Sequence, residues 1–190
     1  MTPEQEDRAL LIVGIDPGRA NTGYCKLYYD AETLDIVGII PRTITEKDLY
    51  VPQYDVLRFG ISQATMFSHR ENFVNLFKID KPSFICCESP FFNRATPSAF
   101  RSLSYFLANL FIAVEKALTS TPLDLVDPPT AKKAIGAKGN AKKEDVLRAM
   151  EKIPELVENC ETTLKDLDEH SLDSMAIAYY RLQMLRNPSI

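Results

Sequence analysis

No apolar stretch in this chain reaches the roughly 20 residues that a bilayer-spanning helix needs, so no transmembrane segment is predicted. No pair of its four cysteines, Cys25, Cys86, Cys87 and Cys160, has C-x-x-C spacing, which excludes the usual zinc and redox motifs. Cys86 and Cys87 sit inside an apolar run and read as small buried hydrophobes of a reducing compartment. Net positive charge is also missing: Lys plus Arg is 22, Asp plus Glu is 26, and the balance is −4. That excludes a wholly basic nucleic-acid coat but not a local basic stripe. Repeats and low-complexity linkers are absent. The start, Met1 to Arg8, is polar and carries Glu4, Glu6 and Asp7, unlike a signal or transit peptide. A cytoplasmic protein is expected, with residues 1–8 flexible.

What is present is an ordinary globular balance, 45% apolar and 25% charged over 190 residues, enough for one domain with a full core. Leu10 to Ile15 reads as a buried strand ended by Asp16 and Pro17-Gly18. Tyr24 to Tyr29 and Leu34 to Ile40 follow as two more, joined by a turn at Asp30 to Thr33. A long polar connection then leads from Pro41 to Tyr54. Helical spacing runs from Tyr54 to Phe77. Ser83 to Cys87 is a fourth strand, and Pro97 to Leu118 an amphipathic helix with Phe100, Leu103, Leu107, Leu110, Phe111 and Val114 on one side. Leu123 to Val126 is a fifth strand. Three helices are predicted after it: Thr130 to Ile135, Lys142 to Lys152 with Asn140 as cap, and Glu169 to Leu185. Three meandering strands followed by β-α-β crossovers predict an α/β fold, a mixed five-stranded sheet with helices over it.

Two acids end apolar strands, Asp16 before Pro-Gly and Glu88 before Ser-Pro. Ligands of α/β sheets gather at the carboxyl ends of strands, and a carboxylate buried there needs a positive partner. Asp173 lies on the last helix, three residues after His170 and so about 60° from it around the axis. If that helix packs on the sheet, Asp16, Glu88, His170 and Asp173 converge on an oxygen-rich site suited to Mg²⁺ or Mn²⁺, the imidazole tilting it toward Mn²⁺. Any one of these acids alone also fits a turn or a cap. His69, beside Arg70 and Glu71, reads as a solvated helix residue.

Charge is segregated. Residues 128–143 carry Lys132, Lys133, Lys138, Lys142 and Lys143 and no acid, with Gly136 and Gly139 making a flexible connection. Residues 89–114 also lack acids and contain Arg94 and Arg101. Residues 144–173 hold ten acids against Arg148, Lys152 and Lys165. A phosphate backbone suits segregated lysines. Phe91 and Phe92, in a loop after Glu88, could stack on unpaired bases or cover the core.

Ile-Val-Gly-Ile-Asp16-Pro-Gly-Arg-Ala-Asn-Thr-Gly-Tyr resembles the first-strand motif of the RuvC-type Holliday junction resolvases, of the ribonuclease H-like superfamily. Cys-Cys-Glu88-Ser-Pro-Phe91 resembles their second acidic motif. The segment from Ala131 to Val146 resembles their basic loop, and His170-Ser-Leu-Asp173-Ser-Met-Ala-Ile-Ala their terminal acidic helix. The motifs keep the family's order over nearly the whole chain. The resemblance implies a ribonuclease H-like fold. It implies that Asp16, Glu88 and Asp173 bind two metal ions, Mg²⁺ with Mn²⁺ also supporting activity, and that His170 stands where many members carry Asp. It implies that Phe91 stacks at a junction centre and that Lys143 and Lys132, or Lys133 one residue on, contact phosphate near the cut. Activity would be metal-dependent hydrolysis of four-way DNA junctions by a homodimer, leaving 5′-phosphate ends.

Three rivals share part of the pattern. An actin-like ATPase also uses Asp-x-Gly after a first strand but needs a second such turn and about two domains. A non-catalytic branch binder would lose acids that are all present here. A nuclease of flaps and forks would keep every feature.

Overall fold

The structure, a computed structural model, describes residues 8–90, 97–118 and 120–188. Its strands are β1 (Ala9–Asp16), β2 (Asn21–Asp30), β3 (Ile36–Thr45), β4 (Phe84–Glu88) and β5 (Leu123–Val126). Its helices are α1 (Gln53–Phe59), α2 (Ile61–Asp80), α3 (Pro97–Ala117), α4 (Pro128–Ala134), α5 (Lys143–Met150), α6 (Pro154–Glu158) and α7 (Glu169–Arg186). One sheet has the order β3-β2-β1-β4-β5. β1 pairs antiparallel with β2 and β2 with β3, whereas β1–β4 and β4–β5 are parallel. The mixed α/β architecture is the one the strand and helix order predicts. β1 is central, so it is buried from Leu11 to Asp16, and this is why its sequence is continuously apolar rather than alternating.

Alternate residues of β1 face different cores. Leu11, Val13 and Ile15 join Phe73, Phe77, Phe106 and Leu110 of α2 and α3 on one side. Ile12 belongs to the other core, with Leu172, Met175 and Ala178 of α7. Gly14 lies under α7, and a Cβ there would collide with the Ser174 carbonyl oxygen. At Gly23 of β2 a Cβ would meet the His170 carbonyl oxygen. These two glycines let α7 lie against the sheet backbone, and that closeness positions the site.

Several boundaries differ from expectation. β3 runs on through Pro41 to Thr45, inside the predicted connection. It is the edge strand, and Ile39 N–H donates outward to Asn159 O at 2.8 Å. The absent N–H of Pro41, two residues on, falls on the same outer side, so no ladder bond is lost. The expected single helix from Tyr54 is split at Gly60, whose φ is +79°. α3 buries Phe106, Leu110 and Ala113. The predicted face was rotated, since Phe111 is 48% exposed. Asn140 is not the cap of α5: Lys142 takes that position, and no side chain caps the helix. Residues 135–142 are tightly bonded rather than a loose connection, with Ala137 N–H donating to Lys132 O at 3.0 Å and Ala141 N–H to Lys138 O at 2.9 Å.

Of the arm expected to be flexible, residues 1–7 lie outside the described residues. Arg8 is pinned by ion pairs to Glu32 at 2.7 Å and Asp30 at 3.6 Å. Cys25, Cys86 and Cys87 are buried free thiols as expected, and Cys160 is half-buried. Among the described residues no helix is long and apolar enough to cross a membrane.

Candidate active site

β1, β4 and β5 end at one edge of the sheet because they are parallel, and β3 ends there too. Asp16 closes β1 and Glu88 closes β4, each on the face that α7 covers. The start of α7 is fixed there by its cap. Asp168 accepts from Ser171 N–H at 2.8 Å, and the Thr43 hydroxyl of β3 donates to the same carboxylate at 2.6 Å. The first turn of the helix is thereby tied to the sheet. With Gly23 leaving room beneath it, His170 reaches Asp16, Nδ1 to Oδ2 being 2.7 Å. One turn further, Asp173 faces Lys132 of α4, whose Nζ is 4.0 Å from Asp173 Oδ1 and donates to Ala141 O at 3.2 Å.

The groups are electrically coupled. Burial, then the charges of Asp16 and Asp173, push Glu88 up to about 8. Burial also raises Asp173 to about 6, with Lys132 opposing and Asp16 and Glu169 adding to the rise. The hydrogen bond to Asp16 holds His170 above the ordinary histidine range, against its own burial. Carboxylates crowded enough to resist ionisation form a site that favours added positive charge. Among the described residues no three His, Cys, Asp or Glu side chains stand at metal-holding spacing. His170 is turned onto Asp16, and Lys132 leans toward Asp173. Three carboxylates and one imidazole match the hard-cation chemistry predicted for Mg²⁺ or Mn²⁺; of the four, His170 and Asp16 pair with each other.

The four expected acid-site residues are thus brought together, and Lys132 rather than Lys133 joins them. Lys133, Lys138, Lys142 and Lys143 are exposed. Arg101 is exposed on α3, where it lines a groove with Gln63 and Tyr105. Phe91, Phe92 and Arg94 lie outside the described residues.

His69 overturns its reading as solvated. It is 1% exposed, stacks on Phe73 and meets Phe106 edge-on. Its Nε2–H donates to the Arg19 carbonyl at 2.8 Å. Burial pushes its pKa down. From the opposite core it steadies the turn that follows Asp16. The flanking Arg70 and Glu71 hid this, although Phe73 four residues on marks the buried side of the same helix. Thr43 and Asp168 were also missed as parts of the site, because Thr43 falls in the extension of β3.

No protein-family model matches the chain, and no curated protein matches it. Solved structures do. The RuvC structure of Thermus thermophilus superposes with a TM-score of 0.68 at 18% identity, over 95% of this chain and 98% of that one. The fold is that of the RuvC-type resolvases. The same RuvC in complex with its Holliday junction substrate gives 0.66 at 17% identity, over 93% and 95%. The yeast mitochondrial Holliday junction resolvase gives 0.62 at 15% identity, over 90% of this chain and 77% of that one. The RuvC-like sheet order β3-β2-β1-β4-β5 is what sets Asp16 and Glu88 on neighbouring strands here.

Proposed function

We propose that this protein is a divalent-metal-dependent DNA endonuclease that resolves four-way junctions, nicking two opposed strands as a homodimer. The observation that carries the reading is the convergence of Asp16, Glu88, His170 and Asp173 at one sheet edge with Lys132 beside them. The RuvC-like fold agrees with it, and so does a basic segment next to the acids.

Asp16, Glu88 and Asp173 would hold the ions, with His170 as the further ligand once it leaves Asp16. Bound Mg²⁺ or Mn²⁺ would supply Lewis acidity, making water nucleophilic near neutral pH and offsetting charge on the phosphoryl oxygens. Lys132 is steered by the Ala141 carbonyl toward Asp173. Its ammonium would meet charge that builds on a phosphodiester lying over the carboxylates. His170 at rest holds Asp16 through its Nδ1. The exposed lysines Lys133, Lys138, Lys142 and Lys143 would hold backbone phosphates without reading bases. Phe91, Phe92 and Arg94, which follow Glu88 in the sequence, would meet the junction centre. For the dimer, α3 offers an apolar stripe: Tyr105 is 47%, Phe111 48% and Ile112 38% exposed. A two-fold junction calls for a two-fold enzyme.

The deciding experiment is a cleavage panel of four-way junction, fork, flap and linear duplex, each with Mg²⁺, Mn²⁺ or EDTA. Paired nicks with 5′-phosphate ends are expected in the junction alone, with either ion and none in EDTA. Equal cutting of linear duplex overturns junction selectivity, and cutting in EDTA overturns the metal mechanism.

A further inference from the structure

A sizeable cleft of the described surface lies apart from the acids. It has a volume of about 690 Å³ and lies between the segment 135–142 and α5. Its charged lining is Lys138, Lys142, Arg148 and Lys152, with Asp145 as the single acid, and Asn140 is polar beside them. Ile135, Ala141 and Ala149 form its buried floor. Four cations and one acid give +3, inside a protein of net −4.

The cleft shares a wall with the acid cluster. Ala141 lines the cleft, while its carbonyl oxygen accepts from Lys132, which stands 4.0 Å from Asp173. That wall is rigid. Ala141 and Ala137 are bonded back to Lys138 and Lys132, and at Gly139 a Cβ would press on Pro129 at 2.8 Å. Arg148 uses Nη2 on Asp145 at 2.6 Å, which holds the guanidinium along the rim. The acid-rich stretch from Glu144 onward hid this site in the sequence. Arg148 and Lys152 count there as minorities among ten acids, yet α5 and the turn after it set them beside Lys138 and Lys142.

We infer that this cleft is a second phosphate-binding site, which seats the backbone of a DNA duplex arm leading away from the acid cluster. An apolar ligand is a poor match for four cationic walls, and the volume admits the ridge of one phosphodiester strand rather than a whole duplex. The inference rests on the nuclease reading for its substrate. Its own content is narrower: Arg148 and Lys152 take duplex phosphates, although neither stands in the basic run.

The test is binding of a linear duplex of about 20 base pairs, followed by fluorescence anisotropy over a range of salt, for the full chain and for R148Q/K152Q. Arg148 is exposed on α5 and Lys152 in the turn that follows it, both outside the core. Loss of two phosphate contacts should weaken binding about tenfold at low salt and reduce the slope of log K against log salt by about 2. D145N, which removes the one acid of the cleft, should tighten binding. Unchanged affinity and slope in R148Q/K152Q overturns the inference, as does failure of the unaltered protein to bind duplex, or weakening by D145N equal to that of the double variant. Junction cleavage by the unaltered protein is scored separately. If duplex binding responds as stated but no junction is cut, the cleft stands and the nuclease reading falls.

Discussion

The two faces of the sheet are built by opposite means. Under α2 and α3 the filling is bulk: Tyr24, Phe73, Phe77 and Phe106 are all buried, with ring pairs such as Phe73–Phe106 at 5.8 Å. Under α7 the contact is closeness: Gly14 in β1 meets Ser174 and Ala178 of the helix, and Gly23 in β2 meets the His170 backbone. Bulk tolerates adjustment, since large side chains can repack. Closeness does not, because the atoms that would be struck are backbone. The polar cluster sits on the close face, and the difference suggests why. A helix lying against the strand backbone has its first turn held to the sheet, so His170 and Asp173 reach Asp16 and Glu88 with little slack. The comparison can be broken by changing each face separately.

The largest effect is expected at the cluster itself. Glu88→Gln should lower junction cleavage at least about 10³-fold, as loss of a group acting at the reacting centre does. In ion-free protein it should do the reverse to stability. Glu88 and Asp173 have folded values of about 8 and 6, above the ordinary carboxylate range. The native state therefore binds their protons more tightly than the unfolded chain does, and stability is full below pH 4 and declines as pH rises toward 8. Urea melts in EDTA at pH 5.5 and 8.5 should show this decline in the unaltered protein, a smaller one in Glu88→Gln, and its relief by Mg²⁺. A flat profile in the unaltered protein would mean that the carboxylates do not crowd one another.

Next comes the bulk face. Phe73→Ala should cost about 3–5 kcal/mol of stability by emptying a well-packed aromatic site. Because that cavity lies across the sheet from the acids, the Mg²⁺ dependence of the protein that stays folded should not change. Gly14→Ala adds one methyl and should cost about 1–3 kcal/mol, the usual range for overpacking. It should nevertheless shift the Mg²⁺ dependence of cleavage, because α7 must move to admit the methyl and carries His170 and Asp173 with it. If the alanine variant loses stability alone, closeness is not what positions the cluster.

The sheet was legible because burial on both sides makes β1 and β4 continuous apolar runs, and two such runs each ending in an acid mark one edge of the sheet. Helix ends and faces were less so. The extension of β3 through Pro41 depends on its being an edge strand, a tertiary fact. Phe111 and Phe106 have the same hydrophobicity, and which of them is covered depends on how α3 packs against α2. Asp16, Glu88, His170 and Asp173 were read from strand ends and helical spacing, yet the choice of Lys132 over Lys133 needed the Ala141 carbonyl, nine residues away. Arg148 and Lys152 were hidden because net charge along the chain averages over both sides of a helix.

The smallest effect separates the two histidines, which are the chain's only ones. His170 gains a partner on folding and its pKa is raised; His69 is buried among rings and its pKa is lowered. The signs follow. His170 contributes stability below the ordinary histidine value near 6.5, and this is lost as pH rises through its folded value. For His69 the unfolded chain takes up the proton first, so stability falls as pH drops below about 6.5. Around His69 the other charged groups are Arg19, whose carbonyl it holds, and Glu46, which pairs with Arg19 at 2.9 Å. Phe73 and Phe106 present no charge. His69→Phe keeps the ring contacts and loses the bond to Arg19, so it should cost about 1 kcal/mol at pH 7. It should also remove the decline between pH 7 and 5. His170→Gln should leave the acid-side contribution of His69 in place and reduce the loss above neutrality, the remainder of which belongs to Glu88 and Asp173. Chemical denaturation of both variants over pH 5 to 8.5 reads the two profiles directly. Were His69→Phe to reproduce the profile of His170→Gln, the bulk face would be carrying charge and the contrast between the faces would not hold.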